Sequence, residues 1–288
     1  MTRQLGRVNM ASMEQSKWVS LQGVLMTSER IPAYGGIAFP REMLETVAES
    51  IRTGGIPLHV EHDRSKPIRS RSSDAFVRTR TDGIDELRFS IEVHPDDAHW
   101  FETRSGMSTT VTVPLDRPEG FAHPANPTLR LSADHAWFAD ETLLGAEAAF
   151  IAGGMEANSI YAERAYQFSF TPDPQIFVDI SLGVLSSLGA SGIWAAIAHV
   201  FRRRRTPDGG NPSQQTTINL TVKDGNRSVT AVIRTNDEAV ANRAINKVDA
   251  LGQRMLGGAS TSGTANVTSA ARDVVVWDDG AGKWIPPA

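Results

Sequence analysis

Ile56-Pro57-Leu58-His59-Val60-Glu61-His62-Asp63, followed at once by Lys66-Pro67-Ile68, is the stretch on which the reading of this chain turns. An apolar run of β type ends there in histidines. Further along, Ser108 opens a second run, Ser108-Thr109-Thr110-Val111-Thr112-Val113, dense in the β-branched residues that suit a pleated surface. A histidine ending one strand and a serine opening an adjacent one is a route by which a Ser/His hydrolase brings base and nucleophile together. His62 and Ser108 are the candidate pair, and His59, an odd number of residues away, points to the other face if the strand continues.

Upstream, Trp18 to Leu25 reads as a strand and Ile31 to Phe39 as a loop punctuated by Gly and Pro. Pro40 opens a helix: Met43, Leu44, Val47 and Ile51 recur at helical spacing, and Gly54-Gly55 stop it. Asp74 to Thr81 and the alternating Leu87, Phe89, Ile91 and Val93 predict two more strands, with a short helix from Pro95 to about Thr103 after them. Asp116 to Asn126 is a loop. Leu129 to Phe138 predicts a strand, Glu141 to Ile151 an alanine-rich helix, and Ala165 to Phe170 a last strand closed by Thr171-Pro172-Asp173-Pro174.

Val178 to Phe201 is apolar, with only Asp179 and His199 ionisable, and Arg202 to Arg205 follow. About 20 such residues with a basic flank fit a membrane span. The serines and glycines within the segment equally suit a buried helix or helical hairpin. Beyond a linker, Thr217 to Val222 and Ser228 to Ile233 alternate around Lys223-Asp224-Gly225-Asn226, the signature of a β-hairpin. A helix capped at Thr235-Asn236-Asp237-Glu238 runs on to Leu251. This ββα unit is too small to be comfortably stable alone, so it docks or oligomerises.

The fold class is therefore α+β: a β-rich domain with flanking helices, an apolar helical segment and a small ββα unit. The expected division is a flexible leader over 1–16, a first domain over 17–176, the apolar segment with its basic end over 177–206, a linker over 207–215, the ββα unit over 216–256 and a flexible tail over 257–288.

Composition narrows the function. The absence of cysteine excludes disulfides, thiolate nucleophiles and thiolate metal sites, and 33 acidic against 29 basic residues speak against a general nucleic-acid binder. No phosphate-binding glycine motif is present. His94 and His99 miss the i, i+4 face that would make a metal pair, and these two and His123 read as surface histidines. The N-terminal stretch lacks the apolar core of a secretory signal, so the expected location is the cytoplasm, with membrane association through 178–201 as the alternative.

From Trp18 to about Pro174 the chain resembles the tailed-phage prohead (capsid maturation) serine proteases, which share their fold with the herpesvirus assembly proteases. The resemblance lies in the order of parts: an opening strand, a helix ending near Ile51, Leu58-His59-Val60-Glu61-His62-Asp63 with Pro67-Ile68, the strand around Phe89, a helix, and a strand-starting serine. It implies a β-barrel-like protease domain in which His62 is the base and Ser108 the nucleophile, with no metal or cofactor. Two positions depart from the pattern. The family reads Ser-hydrophobic-Gly where this chain has Ser108-Thr109-Thr110, and a Glu-hydrophobic-Ser strand where it has Gln167-Phe168-Ser169. His135 is the expected third catalytic member, with Asp134 and Gln167 as alternatives, and backbone N–H groups of the Arg130 to Ala133 region are the expected oxyanion donors. From Val178 to Leu251 the chain looks like the effector-associated constant component modules of bacterial conflict systems, which implies a tether to partner proteins. The expected function is that of a serine endopeptidase in a phage or anti-phage system, acting on a protein substrate and forming homo-oligomers. The alternative is an adaptor or assembly protein that keeps the fold without the chemistry.

Overall fold

The computed structural model describes residues 18–54, 59–60, 62–66, 68–102, 107–116, 124, 126–167, 172–257 and 273–287. The expectations for the leader, Ile56 to Leu58, Pro67, His123, Phe168 to Phe170 and the tether over 258–272 lie outside these residues.

In the first third of the chain, β1 (Val19–Thr27) is followed by α1 (Arg41–Arg52), β2 (His59–Val60), β3 (Ser70–Thr79), β4 (Asp85–Val93) and α2 (Pro95–Glu102). β1, β4 and β3 form an antiparallel sheet in that order. α1 lies on β3 and β4 and buries Leu44, Val47, Ala48 and Ile51, the stripe that its spacing predicts. The run beginning at Ser108 is two strands rather than one. β5 (Met107–Ser108) pairs with β2, and β6 (Val111–Pro114) belongs to a different sheet, so Thr109 and Thr110 make the crossing.

The second sheet is assembled from β6, β7 (Leu129–Asp134), β8 (Ile160–Tyr166), β9 (Gln175–Ser181), β10 (Thr216–Asp224), β11 (Arg227–Thr235), β12 (Asp273–Asp278) and β13 (Lys283–Ile285). Its order is β13-β12-β11-β10-β9-β7-β8-β6, with parallel and antiparallel pairs mixed, and the described strands form an open sheet. The architecture is thus mixed α and β with several sheets. Four helices associate with this sheet: α3 (Asp140–Ala152), α4 (Leu182–Phe201), α5 (Glu238–Ile245) and α6 (Val248–Leu256).

Four expectations need correction. Val178 to Ser181 is not the start of a helix but the end of β9, and Ile176, Phe177, Val178 and Ile180 are all buried. A strand covered on both faces loses its polar alternation, and so it cannot be told from a helix by periodicity. Secondly, β9 pairs in parallel with β10 from Gln175↔Thr217 to Ser181↔Lys223, so the hydrogen-bonded sheet runs straight across the expected domain boundary and the ββα unit is part of it. Thirdly, within the tail residues 273–285 form β12 and β13, closed by an edge-on Trp277–Trp284 contact at 5.2 Å. The expected single helix from Glu238 to Leu251 is also broken, at Asn246 and Lys247, while its predicted cap holds: the Asp237 carboxylate accepts from Ala239 N–H at 2.7 Å.

α4 is the one helix among the described residues long and apolar enough to cross a membrane. It packs on β9 and β10 between α3, α5 and α6, and buries Leu185, Ile193, Ala196, Ile197 and Val200. Its backbone is kinked at Gly189, at φ 66°. α3 comes so close that a Cβ on Gly145 would sit 2.1 Å from His199 Nε2. Each arginine of the basic run after α4 has a partner within the chain, with Arg202, Arg203 and Arg205 exposed. Arg202 pairs with Glu238, and Arg203 reaches the His199 carbonyl. Arg204 binds Gln214, Thr216 and Asn236 and stacks on Trp137 at 4.4 Å, and Arg205 holds the carbonyls of His135 and Ala136.

A chain ending at residue 206 strips β9 of β10 and α4 of α5 and α6. Exposing that apolar edge should leave a product with no cooperative thermal transition, whereas the full chain melts cooperatively in the same circular-dichroism experiment. A well-behaved melt of the truncated chain would show that the two halves fold apart.

Candidate functional site

The period-two pattern of the central strands decides where the site can be. Ile176, Val178 and Ile180 of β9, Ile218, Leu220 and Val222 of β10, and Val229, Ala231 and Ile233 of β11 join the main hydrophobic core. Gln175, Phe177, Asn219 and Arg234 have the opposite parity. On that second face sits the turn that follows β2: Arg64 lies over the Phe177 ring at 4.4 Å, and the Arg234 guanidinium reaches Asp63 and Ser65 (2.6 Å to Ser65 Oγ).

Ser108 and His62, 46 residues apart, meet at the head of this turn. The β2–β5 register sets Ser108 opposite His59. Ser108 Oγ accepts a hydrogen bond from the His62 backbone N–H and donates one to the His59 carbonyl at 3.2 Å. The contact is with the histidine backbone: among the described residues no hydrogen bond joins the hydroxyl to the imidazole. His62 is the only non-glycine described residue in the left-handed region, at φ 59°, a conformation that costs about 1 kcal/mol or more and persists only where its surroundings enforce it. Its Nδ1 is shut off from solvent without a partner. Burial pulls the imidazole down to about 4, so it is neutral at pH 7.

Behind the pair runs a buried polar chain. The Asp134 carboxyl accepts from the Tyr34 hydroxyl at 2.6 Å, Gln167 Nε2 at 3.0 Å and the Ala136 N–H at 3.0 Å. The Tyr34 oxygen in turn accepts from the Gln167 N–H. The Gln167 carboxamide passes the chain on to Gln175 at 3.4 Å, Gln175 Nε2 donates to the His62 carbonyl at 3.1 Å, and Asn219 donates to Gln175 Oε1 at 3.1 Å. Asp134 is fully buried, and desolvation pushes it up to about 7 in spite of these donors.

Of the expected third members, Asp134 and Gln167 thus lie in one network that reaches the carbonyl of His62 and not its ring. His135 lies elsewhere: its ring packs on Tyr166 and its Nδ1 is 3.4 Å from Asp140 without making a hydrogen bond. Asp63, beside His62 in sequence, is turned to Ser65, Lys66 and Arg234. The expected oxyanion donors at Arg130 to Ala133 are corrected outright. That stretch is β7, paired on one side with β8 and on the other with β9, so its N–H groups belong to the ladders. Tyr34, Gln175, Asn219 and Arg234 escaped the sequence reading. Gln175 and Asn219 carry a usable signal, since each is a carboxamide next to strongly apolar strand residues and must be paired if that strand is central. Tyr34 offers none. Among the described residues no cluster of side chains has the makings of a metal centre.

Comparison of the chain with protein-family models, with curated proteins and with solved structures gave no match.

The two perturbed groups act on stability with opposite sign. His62 binds its proton more readily in the unfolded chain, so its contribution is complete above pH 6.5 and is lost as the pH falls towards about 4. Asp134 holds its proton more tightly in the folded chain, so its contribution is complete below pH 3.8 and is lost as the pH rises through about 7. The swings are on the order of 3 kcal/mol for His62 and 4 kcal/mol for Asp134, and the two oppose each other between pH 4 and 6.5. Denaturant titrations across that window should show Asp134→Asn gaining stability with rising pH relative to the parent, and His62→Gln losing it. Identical pH slopes in all three proteins would refute the assignment.

Proposed function

We propose that the chain is a serine peptidase of the prohead-maturation type, with Ser108 as nucleophile and His62 as base. The observation that carries this reading is the meeting of Ser108 Oγ with His62, a residue in a strained backbone conformation whose desolvated imidazole keeps an unpartnered nitrogen. The hydroxyl is at rest on the backbone, and a rotation about χ1 would be needed to aim it at the ring; such bonds often tighten only when substrate is bound. In the reaction the imidazole takes the hydroxyl proton as Oγ attacks a peptide carbonyl, then delivers it to the leaving amine, and water releases the acyl group. The β-barrel-like protease domain belongs to the same proposal, as do a protein substrate, a homo-oligomeric state, a cytoplasmic location and a place in a phage or anti-phage system.

A second reading has its own observation. Both hydrogen-bonding roles of the Ser108 hydroxyl are already filled by the backbone, and among the described residues no carboxylate is hydrogen-bonded to His62 Nδ1, which suits an adaptor that has kept the fold and lost the reaction.

Reaction with a fluorophosphonate probe, followed by peptide mass spectrometry, separates the two. The peptidase reading expects adduct on Ser108, none in Ser108→Ala, and a rate at least about 10³ lower in His62→Ala. With the base free of its proton above about pH 4, labelling should already be near its plateau at pH 6.5, where an ordinary histidine is half protonated. A wild-type protein that melts normally and stays unlabelled from pH 5 to 9 leaves the adaptor as the function.

A further inference from the structure

The turn from His62 to Lys66 is built in two ways. Its shape is set locally, because the Asp63 carboxylate accepts from the Ser65 N–H at 2.9 Å and the Ser65 hydroxyl at 2.7 Å and pairs with Lys66 at 3.2 Å. Its place on the sheet is set from outside. Gln175 of β9 holds the His62 carbonyl, Phe177 of β9 lies under Arg64, and from β11 the Arg234 guanidinium binds both the Asp63 carboxylate and the Ser65 hydroxyl. Arg234 comes from the strand of the C-terminal half that the sequence assigns to a separate unit, 171 residues beyond Asp63.

A left-handed non-glycine residue needs its surroundings to over-determine it. The N–H of His62 is tied to Ser108 and its carbonyl to Gln175, so the two peptide planes beside it are fixed only as long as the turn does not slide on the sheet. A single guanidinium nitrogen of Arg234 donates to both the Asp63 carboxylate and the Ser65 hydroxyl, so one charge-assisted contact ties two residues of the turn to β11 and resists that sliding. We propose that Arg234 is a positioning residue for His62: by clamping Asp63 and Ser65 it holds the turn that carries the imidazole where the His62 N–H meets Ser108. The proposal rests on the peptidase reading for its importance, though not for its geometry. It makes the C-terminal half part of the site.

The test compares the full-length parent with Arg234→Ala, Arg234→Lys and Asp63→Asn by two measurements. One is the titration of the His62 imidazole by NMR, assigned with His62→Gln; the other is the rate of fluorophosphonate labelling at Ser108. In the alanine variant, with thermal melts showing a folded protein, the imidazole should titrate closer to 6.5 and labelling should slow at least ten-fold, with the lysine variant in between. A purely structural arginine would lower the melting temperature and leave the titration where it was. That result, with labelling unchanged, overturns the proposal. Should the parent resist labelling while the titration still moves in Arg234→Ala, the clamp stands and the peptidase reading falls. If the alanine variant does not fold, Arg234→Lys and Asp63→Asn carry the same expectation, and parental titration and labelling in both defeat it.

Discussion

The Asp134 carboxyl is fully buried, and the arrangement of the site follows from how that is made tolerable. An isolated buried carboxylate is far too costly, so the group needs donors, and a carboxyl held near neutrality by its own raised pKa needs them less severely. Tyr34 supplies one from the loop before α1, Gln167 another from the end of β8, and the Ala136 N–H a third. These donors come from parts of the chain up to 100 residues away from Asp134, so the network fixes the N-terminal loop to the large sheet. The carboxamides then have needs of their own. Gln167 passes one to Gln175, and Gln175 fulfils its part by gripping His62, which is how a requirement of the core becomes a constraint on the site.

At the other end of this chain the constraint is one of backbone strain. His62 is left-handed with its N–H on a hydroxyl and its carbonyl on a carboxamide, and its ring Nδ1 is buried without a partner. The same contacts that create an unusual imidazole also occupy the Ser108 hydroxyl. At rest the hydroxyl is engaged by the His62 N–H and the His59 carbonyl, and any partner for it has to compete with these two backbone groups.

Much of the scaffold could be read from residue pattern. The stripe of α1, the alternation of β4, the Asp-Gly hairpin of β10 and β11 and the Asp237 cap are local signals, each expressed within a few residues, and each is present in the structure. That Ser108 and the turn at His62 come together is expected from the strand signals taken with the resemblance in the order of parts, and the contact is present through the His62 backbone. β9 was misread because burial on both faces erases alternation, and the domain boundary with it. The break at Asn246 and Lys247 and the strands of the tail depend on packing against β11, which short-range propensity does not record.

What the sequence by itself determined is which segments can be helix or strand, which face of each is apolar, and that one serine and one histidine stand at strand ends. Those properties are local because they follow from side-chain periodicity and backbone preference. Only the tertiary structure decided that the C-terminal hairpin joins the same sheet, that Arg234 and Gln175 hold the His62 turn, and that Asp134 serves the histidine's backbone rather than its ring. Strand order and the pairing of buried polar groups are set by which distant segments share the interior, and free-energy competition among those segments leaves no mark at any single position.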